Sequence, residues 1–191
     1  MAFLLRFALA AATALSMNSG ALHAEDPRFG IQAHGSFPIG DLKDKVDSKA
    51  GAGLGVHATL DLGQGHVIRP RADYTFFPEA TFPMATNKIK NLSAGVDYLY
   101  FLNRKPEGLY LTTGLSFNHW NVDSSYAASG GYPAGSSTFS SNKAGYAFGA
   151  GFNFNTTFGA ELRYLTSRQI RLGQGFDTPA SMLQAGVTLR F

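Results

Sequence analysis

From Arg28 to the last residue, apolar and polar side chains alternate with a period of two. That spacing sends successive side chains to opposite faces of an extended strand. Glycine recurs inside these segments too often for stable helices. The alternation predicts eight strands, over residues 28–37, 52–62, 66–77, 89–102, 109–120, 143–154, 157–166 and 180–191. In the fifth, Leu109, Leu111, Thr113, Leu115 and Phe117 form one face, and Tyr110, Thr112, Gly114, Ser116 and Asn118 the other. In the sixth, Tyr146, Phe148, Ala150, Phe152 and Phe154 oppose Gly145, Ala147, Gly149, Gly151 and Asn153.

The connections sort by length. Residues 38–51, 78–88, 121–142 and 167–179 make long ones, whereas 63–65, 103–108 and the Asn155-Thr156 turn are short. Long and short alternate along the chain, as in a meander closed into a barrel whose two ends face different compartments. The expected fold is all-β: an eight-stranded antiparallel up-and-down transmembrane β-barrel.

Alternation by itself also fits a soluble lipocalin-like barrel with the apolar set inside. Three features favour the membrane. The polar set is rich in Gly, Ala, Ser and Thr, which suits a crowded lumen better than a solvated surface. Its charges balance, with Asp61, Asp73, Asp97 and Glu161 against Arg69, Arg71, Arg163 and Arg190, as a dry interior requires. Aromatic residues of the apolar set gather near both strand ends: Phe29, Tyr98, Phe152, Phe158 and Phe191 at one, Phe37, Tyr74, Phe117, Tyr146 and Tyr164 at the other. Two such girdles mark the interfaces of an outer-membrane barrel.

Composition narrows the classes further. Charged residues are only 15% of the chain, with no basic run to attract nucleic acid, and there is no cysteine to form a disulfide scaffold or a thiolate zinc site. Residues 1–24 read as a signal peptide, with Arg6 in the basic region, an apolar stretch from Phe7 to Leu15, and cleavage after Ala21 or Ala24. Residues 25–191 then form the barrel domain, with the cell outer membrane as its expected location.

At this point the residues resemble the small eight-stranded outer-membrane barrels of the OmpA/OmpX type. FPIGDLKD (37–44) leading into GAGLGVH (51–57), GLYLTTGLSFNHW (108–120), GAELRY (159–164) and LQAGVTLRF (183–191) carry the resemblance. It implies that alternating Val187, Leu189 and terminal Phe191 form the signal read by the barrel-assembly machinery. The eighth predicted strand reaches Phe191, so the anchoring function of the peptidoglycan-binding domain of full-length OmpA is not part of what the resemblance leads one to expect here.

Candidate chemistry is sparse. The lumenal charges either hold the barrel together or line a path for small solutes. Asp61 and Arg69 flank a tight turn, and Asp97 is expected near Arg71. His34 and His57 point inward without a third convergent ligand, so no metal or other cofactor is expected. Lipid A deacylases of similar size carry His and Ser close together on a late strand. Here Arg163-Tyr164-Leu165-Thr166-Ser167 has the serine but no histidine to activate it. Glycines 51, 53 and 55 lead into a strand, so they are expected to make room for bulky inward neighbours rather than to cradle a nucleotide. The 121–142 connection sets Tyr126, Tyr132 and Phe139 among Ser, Gly and Ala, a mixture suited to adaptable recognition. The expectation is a monomeric, non-enzymatic protein in outer-membrane lipid, structural or adhesin-like through four long outer loops. A small-solute channel and a lipid A-modifying enzyme are the alternatives.

Overall fold

The structure, a computed structural model, describes residues 27–83, 85–128, 134–171 and 177–191. The signal-peptide segment lies outside them. The described residues form eight long strands: β1 (Arg28–Ile39), β2 (Gly51–Asp61), β3 (His66–Phe76), β4 (Ala85–Phe101), β5 (Gly108–Tyr126), β6 (Gly135–Asn153), β7 (Phe158–Arg171) and β8 (Asp177–Arg190). Each pairs antiparallel with its sequence neighbours, and β8 pairs with β1 through Gly30↔Arg190 to Ile39↔Ser181, which closes the barrel. Closure removes the sheet edges that lipid cannot hydrate.

The apolar set points outward. Leu54, Leu115, Phe148 and Val187 are each more than half exposed near the middle of their strands. The polar set points inward, with Gln32, His34, Arg69, Asp97, Glu161 and Arg163 buried. An eight-stranded barrel has room for side chains but not for a wide channel. Several large inward residues therefore face a glycine on the adjacent strand. Asp73 lies over Gly55, Asp97 over Gly114, His34 over Gly53, Arg163 over Gly149 and His57 over Gly30. At each of these glycines a Cβ would collide with the neighbouring strand or its side chain.

At the short-turn end, Gly63 (φ 83°), Gln64 (φ 55°) and Gly65 (φ 85°) make the β2–β3 turn in the left-handed region. The other end departs from the sequence expectation. Residues 38–51 hold a short helix, α1 (Asp41–Lys45), whose Leu42 is fully buried together with Val46 just beyond it. Residues 121–142 are mostly strand: β5 and β6 stay paired from Gly108↔Asn153 to Tyr126↔Gly135. Phe139 is therefore not a loop residue. It sits opposite Val122 and packs on the core around Trp120. Tyr126 ends β5 and is exposed, and Tyr132 lies outside the described residues.

Candidate functional site

Three arginines and three carboxylates meet in the middle of the lumen, supplied by β3, β4 and β7. Arg69 Nη2 donates to Asp97 Oδ2 at 2.8 Å and to Glu161 Oε2 at 2.6 Å. Arg71 grips Asp73 with both Nε (2.6 Å) and Nη2 (2.5 Å), and its Nη1 donates to Asp97 Oδ2 at 3.1 Å. Arg163 reaches the same oxygen through Nη1 at 3.1 Å, and its Nε lies 3.1 Å from Glu161 Oε1. One carboxylate oxygen of Asp97 thus serves three guanidinium groups. Neutral partners extend the cluster. Tyr110 donates to Glu161, while Arg71 and Arg163 donate to Gln32 and Gln184. Gln184 in turn donates to Ser36 and Thr75, and Thr75 bonds the His34 ring.

The other two residues of the expected set stand apart. Asp61 Oδ1 accepts the Gly63 N–H at 2.8 Å, holding the β2–β3 turn instead of pairing with Arg69. Arg190 donates to the backbone carbonyls of Asn155 and Phe158. Sequence reasoning missed that apolar clusters flank the charges on both sides. Val67, Leu99, Phe101 and Tyr110 close the short-turn end. Leu42, Val46, Phe77, Ile89, Trp120, Val122 and Met182 fill the opposite mouth.

Ser167 points inward. It is buried, accepts the Trp120 indole N–H at 3.1 Å and lies 3.5 Å from the Ala180 carbonyl. A lipid substrate outside the barrel does not meet it. Among the described residues no group of His, Asp or Glu is arranged to hold a metal.

Beyond the barrel wall the face preference reverses. On β5 the outward residues run Leu109, Leu111, Thr113, Leu115, Phe117 and then His119, Asn121, Asp123, Ser125. Nine residues, 109–117, are about the length of strand that crosses a bilayer. Past Phe117 the inward residues Trp120 and Val122 become the apolar ones. The strand ends there form a projecting sheet, with a two-residue strand at Ala80–Thr81 added to the edge of β4. Its outer face is polar and cross-bonded: His119 to Asn142, Asn121 to Ser140, and Thr138 to Asp123. β7 pairs with β6 only up to Gly145↔Ser167. Among the described residues, no strand covers that side of β6 over 135–144.

At the closing seam, Val187 and Phe191 are exposed on the outer face, Leu189 partly so, and the Phe191 N–H donates to the Phe29 carbonyl at 2.9 Å.

Comparison with curated proteins yields no match. Solved structures share the fold. Ail, the attachment invasion locus protein of Yersinia pestis, is 16% identical with a TM-score of 0.59, over 86% of this chain and 97% of that one. Neisserial surface protein A is 15% identical with a TM-score of 0.60, over 88% and 99%. The N-terminal barrel domain of Pseudomonas aeruginosa OprF is 13% identical with a TM-score of 0.56, over 88% and 100%. The family model described as "Outer membrane protein beta-barrel domain" matches residues 7–191. The closed barrel, its lipid-facing apolar band and this match over nearly the whole sequence agree, and the chain belongs to the outer-membrane protein beta-barrel domain family.

Proposed function

We propose that this outer-membrane barrel is a non-enzymatic surface-interaction protein, adhesin-like in that it presents the projecting sheet to an external partner. One observation carries the reading: β5 and β6 stay paired about nine residues beyond the apolar band, and among the described residues no strand pairs with the 135–144 side of β6. Such an edge offers unpaired backbone N–H and C=O groups to an extended segment of another molecule. Exposed Tyr126 stands at the tip of the same sheet. A barrel of the same fold supports the reading, since Ail has been solved in complex with the heparin analogue sucrose octasulfate. Solute conduction fits less well, because charges bonded to one another fill the lumen and apolar clusters flank them. In this reading the protein acts as a monomer, and the barrel-assembly machinery reads Val187, Leu189 and Phe191 during insertion.

The test is to excise 124–137 and join Asp123 to Thr138 through an Asn-Gly turn. This keeps the Val122–Phe139 pair and Trp120, so the barrel should assemble and still shift between unboiled and boiled SDS gels. Cells carrying the shortened protein should lose the attachment to host cells or matrix that the intact protein confers. Unchanged attachment with normal assembly overturns the reading.

A further inference from the structure

A second polar site lies away from the projecting sheet, at the short-turn end of the lumen. There a cavity of about 30 Å³ is lined by residues that include His57, Arg190, Thr188 and Tyr110. Its shape follows from register. His57 on β2 and Arg190 on β8 both lie opposite Gly30 on the β1 strand between them. Gly30 has no side chain, which leaves room for the His57 ring at the level where Arg190 also faces inward. A Cβ at Gly30 would strike the His57 ring.

One buried donor at this cavity lacks an acceptor. Arg190 is 9% exposed, and its Nε has no hydrogen-bond partner, although Nη2 donates to two carbonyls. The His57 ring is 7% exposed and bonds to no described residue. Charge points the same way. Arg69, Arg71 and Arg163 are in ion-pair contact with Asp73, Asp97 and Glu161, whereas Arg190 makes no ion pair among the described residues and the Glu107 carboxylate acts on it only from a distance. Of the carboxylates, Asp61 lines the cavity, with one oxygen committed to the Gly63 N–H and Arg28 of opposite charge in the same lining. An unmatched buried guanidinium is costly, and the cavity is large enough to admit a water-sized species.

We propose that this cavity binds one small monovalent anion of chloride size, held between the His57 imidazole and the Arg190 guanidinium. The full chain, refolded in detergent, is heated in sodium chloride, sodium bromide or sodium gluconate at equal ionic strength. The unfolding midpoint should rise saturably with either halide and not with gluconate. Crystals soaked in bromide should show an anomalous peak between His57 and Arg190. Arg190→Gln should abolish the halide-dependent rise. Arg190 sits in the closing strand, so if that variant fails to assemble, His57→Phe, which keeps a ring of similar size over Gly30 and removes the imidazole N–H, decides the point and should abolish the rise as well. Equal midpoints in chloride and gluconate, a rise retained in the assembled variants, or a cavity holding water only would each overturn the proposal.

Discussion

Replacing Asp97 by Asn tests whether the six central charges act as a unit. The change keeps the side-chain volume and removes one negative charge. In the native lumen Asp97 Oδ2 receives Arg69 Nη2 at 2.8 Å, Arg69 Nε at 3.3 Å, and Arg71 Nη1 and Arg163 Nη1 at 3.1 Å each. After the substitution three guanidinium groups face two carboxylates, where Arg69 is 3% and Glu161 4% exposed. Breaking a buried ion pair from one side costs about 3–5 kcal/mol; Asn keeps an acceptor oxygen, so about 3 kcal/mol is expected. The assay is urea unfolding of the protein inserted in phospholipid vesicles. Adding Arg69→Met restores equal numbers of the two charges, so the double variant should lose at least about 1 kcal/mol less than the two single losses summed. The Lys88–Glu79 pair, at 2.8 Å but exposed, supplies the control, and Glu79→Gln should leave unfolding unchanged. A loss under about 1 kcal/mol for Asp97→Asn, the scale of a surface pair, or strict additivity, would refute the idea of a coupled cluster.

Leu115 is 75% exposed at mid-strand, so Leu115→Arg should cost about 2–4 kcal/mol in vesicles if this face meets lipid; a negligible loss would place it elsewhere. Trp120 is the single tryptophan and is 1% exposed, so native fluorescence should resist acrylamide. Val46→Asp should undock α1 and raise quenching, and unchanged quenching would show that α1 does not cover the mouth. Gly114→Val should lower the urea midpoint, because its Cβ would meet Asp97; a native-like midpoint would mean that the lumen has slack at that level.

The barrel was legible in the sequence because lipid outside and polar groups inside enforce one parity over 109–117, 146–154 and 183–191. The projecting sheet was not legible as strand for the same reason in reverse. Above the bilayer the outer face meets water, so the apolar positions move to the inner face: Ile89, Trp120, Val122 and Phe139 replace Leu92, Leu115, Phe117 and Tyr146. Read with a fixed parity, the alternation fades, and 121–142 resembles a loop. The signal that would have found the strands is the switch itself, from outward Phe117 to inward Trp120. Helix α1 lacked any sequence period because only Leu42 within it and Val46 after it are buried. The proximity of Asp97 to Arg71 was readable, since both face inward on adjacent strands. The isolation of Asp61 was not, because a turn N–H two residues along the chain competes for its carboxylate more directly than Arg69 does.

The placement of glycines beneath large lumenal side chains bears on how such sequences diverge. Asp73 needs Gly55 beside it, and Asp97 needs Gly114, but the barrel requires only that each large–small pair fill its share of the interior. A bulky group can pass from one strand to the next if a glycine passes back. Either half of that exchange made first leaves a clash or a void. Drift in the lumen would therefore proceed through compensated steps, leaving correlated pairs of positions across neighbouring strands instead of fixed columns. Barrels sharing this fold at 13–16% identity are what such a history would produce.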